Sequence, residues 1–333
     1  MGADIRNHPW NMSDKEQSKI QNPKSKIAYV FPGQGSQAVG MGKDVFDNFA
    51  AAREVFEEAD SALDFPLSGM CFEGNEEDLQ LTANTQPAIL TTSVAAFRAM
   101  RSEGIPEPAF VAGHSLGEYS ALVAAGVIDF ADAVRTVRKR GTYMQEAVPI
   151  GVGAMAAILG LDVETIEAGC AEASEGQVCS PANINSPSQV VIAGNSEAVD
   201  RACEILKGKG AKRAIKLNVS APFHCDLMMP AQERLAVDLN GLNYGGVRFP
   251  VVHNVDAESN EDSSRVADAL TRQVSSPVKW LQSIEKLRSL GVEKFIEVGP
   301  GKVLTGLLRQ IDREATGVNV EDTASLRSIF ETL

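Results

Sequence analysis

The sequence has few of the features that mark membrane-spanning, disulfide-linked or nucleic-acid-binding proteins. It contains no apolar run near the roughly 18 residues that a membrane-spanning helix needs. Its five cysteines are scattered and include no Cys-x-x-Cys pair, which argues against a disulfide framework or a zinc site. With 31 basic and 44 acidic residues the net charge is −13, which disfavours nucleic acid and anionic membranes as partners. We therefore expect a cytoplasmic globular protein.

Short β-branched runs alternate with amphipathic helical runs over most of the 333 residues. This alternation predicts an α/β fold with a mainly parallel sheet. The predicted strands are 27–31, 109–112, 251–255 and 294–298, and the predicted helices are 43–62, 88–101, 117–125, 130–147, 227–240, 265–274 and 278–290. Residues 1–25 are polar and lack the apolar segment of a secretory signal, so we expect them to form a disordered tail.

The alternation changes between Val152 and Leu217. There the predicted order is strand 152–159, helix 163–173, strand 177–183, strand 189–193, helix 197–207 and strand 212–217. The order β-α-β-β-α-β is typical of the ferredoxin-like fold. We expect a small ferredoxin-like domain over residues 151–216, inserted into a large α/β domain formed by residues 26–150 and 217–333. The alternative is one continuous domain with additional strands.

A candidate nucleophile lies in the sequence Gly113-His114-Ser115-Leu116-Gly117. This Gly-x-Ser-x-Gly pattern stands between a predicted strand and a predicted helix, which is the context of a nucleophile elbow. At a helix N-terminus, the N–H of Leu116 and the helix dipole would stabilise an oxyanion. The alternative is a glycine-rich turn in which Ser115 is only a helix cap.

A serine nucleophile usually needs a base, and the chain has four histidines. His8 lies in the predicted tail, and we expect the side chain of His114 to project away from the tip of the elbow. His253 falls inside a predicted buried strand, where a core role is expected. His224 lies in a loop before a predicted helix and is the preferred candidate base.

The first predicted strand is followed by Gly33-Gln34-Gly35-Ser36-Gln37-Ala38. The spacing matches a dinucleotide-binding loop, but the acidic residue that should end a second strand is missing, because residues 53–57 are predicted to be helical. The other interpretation is that this loop brings the N–H of Gln34 towards Ser115 as a second oxyanion donor.

Arg140 lies at the border of the apolar face of its predicted helix, whereas the neighbouring Lys139 points the other way. A charged run such as Arg138-Lys139-Arg140 is usually solvated. A guanidinium held at the buried border could instead form a bidentate pair with a substrate carboxylate.

Several motifs occur together, and with them the sequence resembles the bacterial malonyl-CoA:acyl carrier protein transacylases from about Lys26 to about Gln310. The motifs are Phe-Pro-Gly-Gln-Gly-Ser-Gln (31–37), Thr-Gln-Pro-Ala (85–88), Gly-His-Ser-Leu-Gly-Glu-Tyr-Ser (113–120), Arg-Gly (140–141), Asn-Ser-Pro-Ser-Gln-Val-Val-Ile-Ala-Gly (185–194), Ser-Ala-Pro-Phe-His-Cys (220–225) and Glu-Val-Gly-Pro-Gly-Lys (297–302). The resemblance implies a hydrolase-like large domain with a ferredoxin-like insertion.

The resemblance also implies a ping-pong transfer of malonyl from malonyl-CoA to holo acyl carrier protein, by a monomer without metal or cofactor. Ser115 would be the nucleophile, His224 its base, and the main-chain carbonyl of Gln273 the group that orients the histidine. The implied oxyanion donors are the N–H groups of Gln34 and Leu116.

For substrate binding, the resemblance implies that Arg140 holds the carboxylate and that Gln86 and Phe223 contact the substrate. Phe223 departs from the family pattern, because many members have serine directly before the histidine. The main alternative function is a serine esterase or thioesterase with the same catalytic geometry. A non-catalytic binding module is less compatible with the combination of Ser115, His224 and Arg140.

Overall fold

The computed structural model describes residues 27–219 and 221–331, so the predicted tail of residues 1–25 lies outside the described part. The strands are β1 Ile27–Phe31, β2 Phe110–Gly113, β3 Gly153–Leu159, β4 Cys179–Ser186, β5 Gln189–Asn195, β6 Arg213–Lys216, β7 Val251–Val252, β8 Ser259–Asn260, β9 Lys294–Val298 and β10 Thr316–Val320. The helices are α1 Lys43–Asn48, α2 Ala50–Leu63, α3 Leu67–Glu73, α4 Glu76–Gln80, α5 Thr82–Ser102, α6 Gly117–Ala124, α7 Phe130–Glu146, α8 Val163–Ser174, α9 Ser196–Gly208, α10 Met229–Asn240, α11 Val266–Gln273, α12 Trp280–Ser289, α13 Val303–Ile311 and α14 Thr323–Ser328.

The larger sheet has the strand order β10-β9-β1-β2-β7-β8. Its first five strands in this order are mutually parallel, and only the edge strand β8 runs antiparallel to β7. All five residues of β1, Ile-Ala-Tyr-Val-Phe, are buried. A parallel strand covered by helices on both faces requires such a continuous apolar run. The predicted bounds of β1 and β9 are therefore confirmed, and the mainly parallel α/β fold is confirmed with them.

The smaller sheet is antiparallel, with the order β4-β5-β3-β6 and helices α8 and α9 packed against it. This is the ferredoxin-like arrangement that the sequence predicts, and it has a hydrophobic core of its own. Strand β4 also contacts the large domain, because the N–H of Ile184 donates to the carbonyl of Val278 at 2.9 Å. The stated domain boundaries stay a prediction.

Several predicted elements have wrong bounds. The predicted helix 43–62 is two helices, because Phe49 has an extended backbone (φ −126°, ψ 120°). The helix predicted from Ala88 begins at Thr82, with Pro87 inside it. The helix predicted from Val278 begins at Trp280, because Val278 pairs with β4. Helices α3, α4, α13 and α14 and strands β8 and β10 were not predicted.

The predicted strand 251–255 ends at Val252. The backbone N–H of Asn254 donates to the Glu118 carboxylate rather than to a neighbouring strand, which ends the pairing. Among the described residues, no helix has the length and apolar character to cross a membrane.

Gly117 generates a stability prediction, because a Cβ there would lie 2.0 Å from the carbonyl oxygen of Phe31. We expect Gly117→Ala to lower the free energy of unfolding by about 3 kcal/mol, since neither backbone can yield without disturbing the sheet. The measurement is the denaturant midpoint followed by circular dichroism.

Gly306→Ala is the matched control, because Gly306 is exposed within helix α13 and a Cβ there meets no atom within 4 Å. This substitution should raise the free energy of unfolding by about 0.8 kcal/mol through helix propensity. Equal midpoints for the two variants would contradict the account of the elbow's packing.

Candidate active site

Ser115 lies in the turn between β2 and α6, as the motif predicts. Its φ of +52° is in the left-handed region, which costs energy for a residue with a side chain. A Cβ on Gly113 would lie 1.9 Å from backbone atoms of Gly117, so the turn can form only with glycine there. The two glycines allow the sharp turn that presents the serine hydroxyl.

Asn254 holds this turn in place. Its Oδ1 accepts a hydrogen bond from the N–H of Ser115 at 2.7 Å, and its Nδ2 donates to the carbonyl of Gly113 at 2.6 Å. One side chain therefore bonds to the backbone on both sides of His114 and offsets the strain at Ser115.

His224 is the histidine that contacts the hydroxyl of Ser115. Its Nε2 lies 2.7 Å from Ser115 Oγ, and its Nδ1 lies 2.9 Å from the main-chain oxygen of Gln273. Because a carbonyl oxygen only accepts, Nδ1 carries the proton and Nε2 is free to accept one from the serine. Like Ser115, His224 has a positive φ, of +60°.

The electrostatic environment keeps His224 neutral. Burial, and next the nearby Arg140 guanidinium, lower the pKa of His224 from 6.5 to about 3. Both causes disfavour the imidazolium form. At neutral pH the free enzyme therefore has an uncharged histidine ready to accept a proton.

Arg140 is fully buried rather than at the border of the buried face. Its Nη1 donates to Gln86 Oε1 at 2.8 Å, and its Nη2 donates to Gln273 Oε1 at 2.9 Å and to Ser115 Oγ at 3.2 Å. Burial lowers the pKa of Arg140, but a guanidinium stays protonated at physiological pH. The site thus places a permanent positive charge beside the nucleophile.

The backbone amides around Ser115 differ in whether they already donate a hydrogen bond. The N–H of Ser115 is bonded to Asn254, and the N–H of Gly35 donates to Gln37 Oε1 at 2.7 Å. Within residues 27–219 and 221–331, neither the Gln34 nor the Leu116 amide donates to another group. Both residues line the cavity around Ser115, where their amides could stabilise an oxyanion.

The cavity has a volume of about 120 Å³ and is lined by residues of both domains. Its lining includes seven of the eight predicted site residues: Gln34, Gln86, Ser115, Leu116, Arg140, Phe223 and His224. Gln273 lies behind them, in contact with Arg140 and His224.

Sequence reasoning missed several residues of the lining, namely Met144, Met155, Asn183, Leu217 and Val219. His114 also lines the cavity, and the orientation of its side chain away from the tip of the elbow stays a prediction. Its Nε2 lies 2.9 Å from Asn185 Oδ1, and this contact holds the ring beside Ser115 rather than on it.

Glu118 and His253 form a polar cluster behind the site that was also missed. His253 is buried as predicted, but its Nδ1 donates to Glu118 Oε1 at 2.6 Å. Two sequence positions could have indicated this cluster. Glu118 follows the elbow directly, and Asn254 lies at the carboxyl end of a strand.

The sequence and the fold also match those of known proteins. The sequence matches the acyl transferase domain family over residues 28–327. The malonyl CoA-acyl carrier protein transacylase of Escherichia coli K12 is 51% identical over 307 residues, which cover 92% of this chain and 99% of that protein. The enzyme of the same name from Bacillus subtilis is 48% identical over 310 residues, covering 93% and 98%.

Solved structures show the same fold. An acyl carrier protein S-malonyltransferase from Vibrio cholerae is 51% identical, with a TM-score of 0.90 and coverage of 92% of this chain and 100% of that chain. A malonyl-transacylase solved in complex with a holo type II PKS acyl carrier protein is 49% identical, with a TM-score of 0.91 and coverage of 93% and 100%.

The fold and the family match therefore define an acyl transferase. Within that class, the chain belongs to the family of malonyl CoA-acyl carrier protein transacylases.

The low pKa of His224 predicts that the pH profile of kcat/KM has no inflection near pH 6.5, where an ordinary histidine titrates. Because the free enzyme keeps His224 neutral, kcat/KM for malonyl-CoA should change less than about twofold between pH 8 and pH 5. The measurement is a pH profile of kcat/KM for transfer from malonyl-CoA.

The free energy of unfolding, in contrast to kcat/KM, should fall between pH 8 and pH 5. Unfolded His224 binds a proton near pH 6.5 while the folded group does not, so its contribution to stability falls as the pH drops below about 6.5. Parallel unfolding curves separate the two effects. A tenfold loss of kcat/KM centred near pH 6.5 in a fully folded enzyme would contradict the assignment.

Proposed function

We propose that this chain transfers the malonyl group of malonyl-CoA to the phosphopantetheine thiol of acyl carrier protein through a malonyl-Ser115 ester, and so supplies malonyl carrier for fatty acid synthesis. The observation that carries the proposal is the buried guanidinium of Arg140, which lies 3.2 Å from the nucleophilic oxygen. A cation in that place suits an acyl group that ends in a carboxylate.

In the first half-reaction, Ser115 Oγ attacks the thioester carbonyl carbon while His224 Nε2 takes the hydroxyl proton. The carbonyl oxygen becomes an oxyanion, which the amides of Gln34 and Leu116 stabilise. The carbon–sulfur bond then breaks, His224 returns the proton to the departing CoA sulfur, and the malonyl group remains on Ser115 as an ester.

In the second half-reaction the same groups act in reverse order. His224 takes the proton of the phosphopantetheine thiol, the thiolate attacks the ester carbonyl, and the Ser115 oxygen leaves with that proton. The main-chain carbonyl of Gln273 fixes the ring throughout, since it accepts from Nδ1 in both half-reactions. A carboxylate is therefore not needed to orient the histidine.

Binding of the malonyl carboxylate should also activate the base. Arg140 is the second cause of the low pKa of His224, after burial. A carboxylate paired with the guanidinium cancels its charge and raises the basicity of His224 only when the correct acyl group is present. The acyl chain of acetyl-CoA has no carboxylate and gives no such increase.

A serine esterase of neutral substrates would share Ser115 and His224 but would gain nothing from a buried guanidinium. Arg140 therefore favours the transferase of carboxylated acyl groups. The proposed reaction needs no metal or cofactor, because the serine, the histidine and the two amides supply every step. We place it in the cytoplasm, where malonyl-CoA and acyl carrier protein would meet.

The test is the intact mass of the protein after mixing with malonyl-CoA or acetyl-CoA, followed by addition of holo acyl carrier protein. We expect a malonyl adduct on the wild type that the carrier discharges, and no adduct on Ser115→Ala. Arg140→Ala should lower kcat/KM for malonyl-CoA by about a hundredfold, equivalent to about 3 kcal/mol, because it removes the partner of a buried carboxylate.

Arg140→Lys is the control for charge without the guanidinium fork, and it should fall between the wild type and Arg140→Ala. Loss of the adduct to water at the same rate with and without the carrier would contradict transfer and favour a hydrolase. Equal adduct formation from malonyl-CoA by wild type and Arg140→Ala would contradict the role of the arginine.

A further inference from the structure

Glu118 is a buried acidic residue that the proposed reaction does not use. Its side chain is 0% exposed. It accepts hydrogen bonds from the Asn254 backbone N–H at 3.0 Å, from Gln273 Nε2 at 2.8 Å and from His253 Nδ1 at 2.6 Å. A buried carboxylate is costly, and this one is satisfied by three donors from two parts of the chain, residues 253–254 and Gln273.

The contact with Gln273 links Glu118 to the arginine. The Gln273 amide has Nε2 on Glu118 and Oε1 on Arg140 Nη2, at 2.8 Å and 2.9 Å. An amide has one donating and one accepting end, so a carboxylate on one side and a guanidinium on the other allow a single orientation. The side chain of Gln273 therefore connects two buried charges of opposite sign.

We infer that Glu118 is a positioning residue, which sets the place of the Arg140 guanidinium through the Gln273 side chain and thereby sets the preference for carboxylated acyl groups. This inference rests on the proposed function. It assigns Gln273 a second task besides its main-chain bond to His224, and the two tasks use different atoms.

The neighbouring residues support the same role. The ring centre of Tyr119, next to Glu118 on α6, lies 5.6 Å from the guanidinium carbon of Arg140. His253 is itself held, because its Nε2 accepts from Asn260 Nδ2 at 3.0 Å, which leaves Nδ1 as the donor to Glu118. His253 thus fixes the Glu118 carboxylate on one side, and the carboxylate in turn fixes the side chain of Gln273.

Glu118→Gln tests the inference, because a neutral amide of the same size places an N–H₂ group against at least one of the three donors. We expect the ratio of kcat/KM for malonyl-CoA over acetyl-CoA, with holo acyl carrier protein as acceptor, to fall at least tenfold. The change should lie mainly in KM for malonyl-CoA, since the binding of the carboxylate is affected.

Gln273→Met is the second variant, and it tests the same link between Glu118 and Arg140 if Glu118→Gln does not fold. It keeps the main-chain carbonyl that orients His224 and removes the side-chain amide, which also donates to the main-chain oxygen of Ser115 at 3.0 Å. The same fall in the ratio is expected. In an Arg140→Ala background, Glu118→Gln should change the ratio no further, because it acts through the arginine.

Glu297→Gln is the matched control. Glu297 is also 0% exposed and accepts three hydrogen bonds, from the N–H groups of Leu304 and Thr305 and the hydroxyl of Thr305, but it does not line the cavity. It should lower the unfolding midpoint and leave the ratio unchanged.

The outcomes separate the inference from the proposed function. A wild type that forms no malonyl ester, or one that the carrier cannot discharge, overturns the proposed function. The other case is a wild type that transfers malonyl. If folded Glu118→Gln or Gln273→Met then keeps the wild-type ratio of kcat/KM, or loses kcat/KM equally for both substrates, only the role of Glu118 is overturned.

Discussion

The burial of one positive charge beside Ser115 is the constraint on which the rest of the site depends. A guanidinium removed from water is stable only if its N–H groups are bonded and its charge is balanced. Gln86, Gln273 and Ser115 supply acceptors to Arg140, and the Glu118 carboxylate lies one amide away. Among the described residues, Arg140 Nε has no hydrogen-bond partner, whereas Nη1 and Nη2 are bonded to residues in or beside the cavity around Ser115.

The same network also holds backbone strain. Ser115 and His224 both have left-handed φ values, although both carry side chains. Asn254 bonds to the backbone around Ser115, and the Gln273 carbonyl holds the ring of His224. Helix α11, the segment after β7 and the elbow are therefore linked by hydrogen bonds. A substitution in one of them is expected to shift the positions of Ser115 and His224.

Much of this arrangement was predictable because it depends on local patterns. Buried parallel strands are continuous apolar runs, so β1 and β9 were predicted with their observed bounds. The elbow and the His224 loop were recognisable because turns at the ends of strands need glycine or polar residues. Seven of the eight predicted site residues line one cavity, and the eighth bonds to two of them.

The remainder depends on contacts between distant parts of the chain. The helical periodicity places Arg140 at the border of an apolar face, and only the packing of other elements shows that it is fully buried. Likewise, Glu118 and Gln273 are separated by 155 positions, so no local pattern links them. Strand β7 was predicted too long because His253 and Asn254 bond to a side chain that the sequence does not place beside them.

The most direct test of the central claim is a crystal structure of the malonyl-enzyme, prepared with malonyl-CoA in the absence of an acceptor thiol. We expect a malonyl carboxylate within about 2.9 Å of the Arg140 guanidinium nitrogens. The ester carbonyl should face the amides of Gln34 and Leu116. A carboxylate directed to the cavity mouth, with Arg140 unpaired, would contradict the claim.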